Sequence, residues 1–448
     1  MSRGSVAAPR ASERRLFGTD GVRGEAGTKL SADLALALGR AAAHVSPADA
    51  PRVLIVRDTR ESGPMLEAAL AAGVAAGGGE ALLGGVLPTP GAALLVRRHS
   101  YDLAAVVSAS HNPFRDNGIK FFGPDGMKLD DEAEAEVERA VADPPAFVAA
   151  GGVREIQGVA EDYLRELELR FGELDLGGRR VLLDCAHGAT HRVGPEIFRR
   201  LGADVTAVGN DPDGRNINQG VGSTQVEDRA PEVREGRFDL GFAFDGDGDR
   251  VLALDRHGRV VDGDELIALA ALHLRGAGRL AGDGVAVTVM TNFGFHQAMQ
   301  RAGVEVAITP VGDRHVLQEL VRRGWALGGE QSGHVIETGF VPSGDGIATA
   351  LLTLEALGDG DLAERAAMDK LPQRLVNVPV GGGRRLEDAP RVHEAVERES
   401  QGLRGRGRVL VRPSGTEPLV RVMVEAPEAD ECDAVVTRLV EVVRRDLG

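Results

Sequence analysis

The chain has 448 residues, 43% hydrophobic and 27% charged, enough for several domains that each bury a core. A net charge of −16 works against non-specific binding to nucleic acid or to an anionic membrane, and no apolar run approaches the roughly 18 residues of a membrane helix. Two cysteines, Cys185 and Cys432, give no disulfide framework and fit a reducing, cytoplasmic compartment.

The first thirteen residues are small and polar with no apolar core, and read as a disordered extension, not a targeting peptide. Strand-length apolar runs then alternate with Ala- and Leu-rich stretches of helical period. Strands are expected at 52–58, 102–108, 180–186, 238–245, 285–291 and 409–413. Several are apolar on both faces, as buried parallel strands are. The stretch 62–79 reads as a helix that stops at three glycines; because this glycine run follows a helix, it is not a dinucleotide fingerprint. The alternation argues an α/β architecture with mostly parallel sheets. Boundaries are expected at the Pro-, Ala- and Gly-rich 142–152, at 256–265 and at 368–375, giving segments 1–150, 151–258, 259–370 and 371–448. The basic run Arg404–Arg408 is read as a turn before a strand.

Ligands of parallel sheets bind in loops at the carboxyl ends of strands, and four such loops carry chemistry. In "FAFDGDGDR" (242–250) the carboxylates Asp245, Asp247 and Asp249 alternate with glycines after an apolar run. Closely spaced carboxylates repel unless a cation sits among them, and an all-oxygen set suits a hard ion such as Mg²⁺. An EF-hand would need Gly and Glu where Arg250 and Arg256 stand. In "RPSGTEPLVR" (412–421) guanidinium, hydroxyl and glycine backbone suit a phosphate. "GGEQSGH" (328–334) could grip sugar hydroxyls. "SASHNPFRDNGIK" (108–120) puts serine, histidine and lysine after a strand without the G-x-S-x-G elbow of a serine hydrolase. Together the loops ask for a phosphorylated sugar, with the serine as phosphoryl carrier.

These residues, with "FGTDGVRG" (17–24), "DTRESG" (58–63), "DGRNINQGVGST" (213–224) and "VGDRHV" (311–316), resemble the α-D-phosphohexomutase superfamily from about residue 14 to the end. "FGTDGVRG", "NPFRDNGIKFF" and Gln331 are similar to its glucosamine branch more than to the mannose or glucose branches. The resemblance implies three related α/β/α domains and a smaller α+β domain around one central cleft. It implies Ser110 as the phosphoserine, whose phosphate with Asp245, Asp247 and Asp249 holds one Mg²⁺. Arg23, His111, Lys120 and Arg250 would steady the phosphoryl group and move protons, with Lys120, its pKa lowered by surrounding positive charge, as the base. Glu330, Ser332 and His334 would grip the sugar; Arg412, Ser414, Gly415, Thr416 and Arg421 would hold the idle phosphate.

The implied reaction interconverts glucosamine 6-phosphate and glucosamine 1-phosphate through a hexosamine 1,6-bisphosphate that also serves as activator, feeding UDP-N-acetylglucosamine and cell-wall precursors. It implies a phosphosugar partner, neither nucleic acid nor membrane, and leaves room for a homodimer. The rivals are the same mechanism on mannose or glucose phosphates, a Mg²⁺-dependent sugar phosphatase, and a non-catalytic binding protein. Segment 336–346 departs from the family pattern.

Overall fold

The computed structural model describes residues 16–144, 150–381, 385–414 and 419–448. Chain contacts divide into two units, residues up to 288 with Ala307–Arg365, and Val289–Val306 with Ala366–Gly448.

In the first unit, a six-stranded sheet runs in the order Val22–Glu25, Asp116–Phe122, Leu103–Val107, Arg52–Arg57, Glu80–Val86, Gly152–Glu155. The last four strands are parallel; the first two are antiparallel to their neighbours. Leu103–Val107 is buried along its whole length, as its unbroken apolar run predicts. Helices Ala32–Val45 and Gly63–Ala76 cover one face. They can approach closely because Gly39 and Gly73 carry no Cβ: one built there would lie 2.1 Å from the Leu70 carbonyl oxygen and 2.0 Å from that of Leu36. The predicted helix stops where expected, with Gly77 at the cap and Gly78 at φ 88°.

A second sheet has the parallel strands Asp204–Val208, Arg180–Asp184 and Leu240–Phe244, followed by antiparallel Val251–Asp255 and Val260–Val261. Of a four-stranded third sheet, Gly284–Thr288, Leu327–Gly329 and Val335–Glu337 lie wholly in this unit. The first two are parallel and the third antiparallel. Each α/β body thus has parallel pairing at its core and an antiparallel edge on one side.

The stretch 256–265 is a hairpin turn, the short strand Val260–Val261, and then a capping box in which Asp262 accepts from Glu265 N at the start of helix Gly263–Gly276. The strand expected at 285–291 ends at Thr288, and Asn292 caps the helix Phe293–Ala302 by accepting from Gly294 N at 3.0 Å. The unusual segment 336–346 is packed inward: Phe340 and Val341 are buried, and Asp345 accepts from Tyr163 Oη at 2.9 Å and from Ala348 N at 2.9 Å, capping helix Gly346–Leu357.

The second unit holds a three-stranded antiparallel sheet in the order Gln373–Pro379, Leu419–Glu425, Arg408–Pro413, with helices Pro390–Gly402 and Ala429–Leu447. Val422, Val424, Cys432, Leu439 and Val443 lie in its core. Helix Phe293–Ala302 belongs here too. Asn292 accepts from Leu371 N and donates to Leu371 O, both at 3.0 Å, and Phe293 N donates to Glu425 at 3.0 Å. Arg408 pairs with Glu425 at 2.7 Å and Arg406 with Glu431 at 2.6 Å, so those two positively charged residues of the basic run have carboxylate partners within the fold. Among the described residues, no helix is long and apolar enough to cross a membrane.

Candidate active site

Ser110 follows the buried strand Leu103–Val107 and has φ 51°, a left-handed conformation that costs energy in a residue with a Cβ. Side chains from elsewhere in the chain pin it there. Arg60, with no exposed surface, donates to the carbonyls of Ser110 (2.8 Å), Asn112 (2.9 Å), Asp116 (2.9 Å) and Pro113. Asp58, equally buried, neutralises Arg60 at 2.8 Å and accepts from Ser108 Oγ at 2.5 Å. Ser108 Oγ in turn accepts from Ser110 N at 3.0 Å. Asn218 adds donors to Ser110 O (2.9 Å) and Asn112 O (3.1 Å). The serine is presented by a rigid loop.

The acidic loop meets it. Ser110 Oγ donates to Asp245 Oδ2 at 2.5 Å, and a Cβ at Gly246 would stand 2.5 Å from the Ser110 carbonyl oxygen. Asp245, Asp247 and Asp249 are all buried, with one oxygen of each inside a 4.8 Å cluster. Burial first, then Asp249 and Asp247, push the Asp245 carboxyl well above the usual carboxylate range. Burial alone would raise Asp247 as well, but Lys120 and Thr89 outweigh it and hold Asp247 low. Asp247 Oδ1 and Asp249 Oδ1 are buried and accept no hydrogen bond. Buried carboxylate oxygens with spare lone pairs fit a hard divalent cation.

Lys120 lies on strand Asp116–Phe122 with 1% of its side chain exposed. Its Nζ is 2.8 Å from Asp247 Oδ2 and 3.1 Å from Asp20 Oδ2. The direction set by the protein's own groups is opposite to the lowering expected with a cation bound. Burial does act downward, but Asp20, Asp247 and Asp249 outweigh it and Arg23 together, so the ammonium is held firmly charged. His111 is the opposite case: burial, then Arg250 and Arg23, lower its pKa and keep the ring neutral. Its Nδ1 is 3.3 Å from Ser110 Oγ and 3.5 Å from Arg250 Nη1. Arg23 reaches the Ala109 carbonyl at 3.4 Å and pairs with Asp20.

The third loop joins the same site through its inner end. His334, 2% exposed, has Nε2 3.9 Å from Asp249 Oδ2. Glu330 is half-buried, its Oε1 accepting from Gly312 N at 2.9 Å, and Ser332 is exposed.

In the second unit, Arg412 lies within the strand Arg408–Pro413, which matches the strand expected at 409–413. It stands directly opposite Arg421 in that ladder. Like charges facing each other across strands are unfavourable unless an anion is shared. Ser414 Oγ, just beyond, is buried and makes no hydrogen bond among the described residues. Gly415 and Thr416 lie outside the described residues.

Asp58, Arg60, Asn218, Thr89 and Asp20 were not singled out from the sequence. "DTRESG" was the available signal for the first two, since so polar a hexapeptide directly after an apolar strand is placed for support of a loop.

Family models describe all four parts of the chain: the phosphoglucomutase/phosphomannomutase alpha/beta/alpha domains I, II and III match residues 14–145, 161–258 and 262–375, and the C-terminal domain matches 375–442. A phosphoglucosamine mutase of Desulforudis audaxviator is 48% identical over 439 residues, 96% of this chain and 97% of its own length. That of Bacillus subtilis is 46% identical over 446 residues, covering 97% and 99%. Among solved structures, a phosphoglucomutase/phosphomannomutase family protein from Burkholderia thailandensis superposes with a TM-score of 0.80 at 22% identity, over 95% of this chain and 96% of that one. The N-acetylphosphoglucosamine mutase of Aspergillus fumigatus, solved with GlcNAc-6P and magnesium, gives 0.68 at 19% identity, over 98% and 97%.

Proposed function

This chain belongs to the phosphoglucomutase/phosphomannomutase family, and from that membership we propose that it interconverts glucosamine 6-phosphate and glucosamine 1-phosphate. The 44–48% identity to phosphoglucosamine mutases over nearly the whole chain supports the choice of amino sugar. The observation that carries the mechanism is Ser110 Oγ against Asp245, inside a cluster of three buried carboxylates.

Ser110 carries the phosphoryl group. In the forward direction the bond from phosphorus to the serine oxygen breaks and a bond to O1 of the 6-phosphate forms, giving a 1,6-bisphosphate. After the bisphosphate reorients, its 6-phosphoryl group returns to Ser110 and the 1-phosphate is released. Such transfers are catalysed by positioning and by stabilising charge on the equatorial oxygens. Mg²⁺ held by Asp245, Asp247 and Asp249 would supply Lewis-acid neutralisation of that charge.

The chain's own groups do the rest. Lys120, held as an ammonium beside Asp247, supplies fixed positive charge that stabilises the transferring phosphoryl group and the leaving serine oxygen. Neutral His111 accepts the proton lost from the attacking hydroxyl. Arg23 and Arg250 add fixed positive charge. Glu330, Ser332 and His334 hold the sugar hydroxyls. Arg412, Ser414, Gly415, Thr416 and Arg421 receive the idle phosphate, a role supported by the opposed arginines and the unpartnered Ser414 hydroxyl. The four segments 1–150, 151–258, 259–370 and 371–448 would each contribute one loop.

The test is ³¹P NMR on purified protein with Mg²⁺ and a trace of hexose 1,6-bisphosphate, offering the 6-phosphates of glucosamine, glucose and mannose separately. Fastest appearance of the 1-phosphate from the glucosamine ester supports the reading. A preference for glucose or mannose overturns the substrate, and free phosphate alone overturns the mutase reaction.

A further inference from the structure

The motif "VGDRHV" (311–316) has no part in the chemistry above, yet three successive residues of it tie the sugar loop to the Ser110 end of the site. Gly312 N donates to Glu330 Oε1 at 2.9 Å. Asp313, at the start of helix Asp313–Arg323, forms an ion pair with Lys128. Arg314 reaches across to the first domain as well, to Glu134 Oε1 at 2.6 Å, to the Leu129 carbonyl at 3.1 Å and to Asp131.

Lys128 does not end the chain of contacts. Its side chain is 13% exposed, and its Nζ also lies 2.5 Å from Asp20 Oδ1. The other oxygen of Asp20 is 3.1 Å from Lys120 Nζ and pairs with Arg23. Lys120 is 2.8 Å from Asp247, and His334 stands 3.8 Å from Asp313 and 3.9 Å from Asp249. Charges therefore alternate along a partly buried chain: Asp313, Lys128, Asp20, Lys120, Asp247.

A single salt bridge between two domains would hold them together without a second acid. Here the lysine is shared by two carboxylates, and one of them is shared in turn by two cations of the reacting end. Shifting a member strips a counter-charge from its neighbour, most costly at Lys120 and Asp247, whose side chains are 1% exposed, so the members move together. The bridge therefore carries position as well as stability.

We propose that Lys128 and Asp313 are positioning residues for phosphoryl transfer, fixing Asp20 and through it Lys120 and Arg23 in register with the Glu330 loop. This rests on the mutase reading above. Neither residue touches the reacting atoms. Their contribution is alignment, and an error of about 1 Å in such alignment can cost on the order of 10²-fold in rate.

The test compares kcat and KM of wild type, Lys128→Met, Asp313→Asn, the double variant and Arg314→Met, using whichever hexose phosphate the wild type isomerises. Both single variants are expected to lose about 10- to 100-fold in kcat with KM nearly unchanged. The double variant should lose no more than the worse single, since the two act as one unit. Arg314→Met cuts the other arm of the same clasp; it should lower Tm while leaving kcat near wild type. Wild-type kcat in Asp313→Asn would overturn the proposal. So would multiplicative losses in the double variant, or an equal loss of kcat in Arg314→Met. If Lys128→Met does not fold, the shape-preserving Asp313→Asn decides alone. A wild type that isomerises no hexose phosphate would overturn the mutase reading and the proposal with it, whereas failure confined to the variants strikes the proposal only.

Discussion

Ser110 Oγ and Asp245 Oδ2 lie 2.5 Å apart although 135 residues separate them in the chain. The oxygen proposed to accept the phosphoryl group is thereby set against a carboxylate of the proposed metal site. Ser110→Ala removes that oxygen and little else, because the loop is held by Arg60 and Asn218 through backbone carbonyls. Turnover should fall by about 10⁴-fold or more, the order seen on losing a nucleophile, with Tm unchanged. Thermal melts beside the mutase assay check both halves.

Asp247 is the carboxylate shared between the proposed metal site and Lys120. Asp247→Asn should weaken apparent Mg²⁺ affinity by at least about tenfold and lower the rate at saturating metal. Chelation of wild type should abolish turnover reversibly. A Mg²⁺ titration that superposes on the wild-type curve would remove Asp247 from the ligand set.

Arg60 supports the serine loop through four carbonyls and pairs with Asp58, neither side chain being exposed. Arg60→Met leaves Asp58 as a buried charge without its partner, a loss of about 3–5 kcal/mol. Denaturant unfolding should show that loss, and activity should fall at temperatures where the variant is still folded. Wild-type stability would mean that the loop is held by other contacts.

The sequence made the strands and the three polar loops of the first unit legible because strand ends and loop chemistry are local properties. "FAFDGDGDR" shows its apolar run and its spaced carboxylates within nine residues. Arg60 was not legible: among Asp, Thr, Glu and Ser it looks solvated, and it is buried only because residues 110–116 fold back over it. The charge state of Lys120 was hidden for the same reason. Its strongest partners, Asp20 and Asp247, lie 100 and 127 residues away, and they outweigh the lowering by burial and Arg23.

Arg412 and Arg421, opposed across two antiparallel strands, are suited to a shared dianion. Arg412→Ala should raise KM by about tenfold or more and change kcat little, since the idle phosphate is bound alike in ground and transition states. A fall in kcat at constant KM would place Arg412 at the reacting phosphate instead.

Asp345 offers a pH test within segment 336–346. Burial pushes its carboxyl up to about 6, against the hydrogen bonds from Ala348 and Tyr163. The folded state thus binds this proton more tightly than the unfolded chain. The stabilisation is complete below about pH 4 and is lost as pH rises through about 6. Asp345→Asn keeps an acceptor oxygen and cannot ionise, so its Tm relative to wild type should climb between pH 4 and 7. A difference that stays flat across that range would show that the carboxyl does not titrate there.

The central claim, that Ser110 carries the phosphoryl group exchanged with the sugar, is tested most directly by labelling. Purified enzyme with Mg²⁺ is incubated with ³²P-labelled hexose 1,6-bisphosphate, freed of ligand, digested and mapped. About one label per chain on the peptide containing Ser110, discharged into sugar phosphate when unlabelled glucosamine 6-phosphate is added, is the predicted result. Label absent from Ser110, or present there but retained while turnover proceeds, would contradict it.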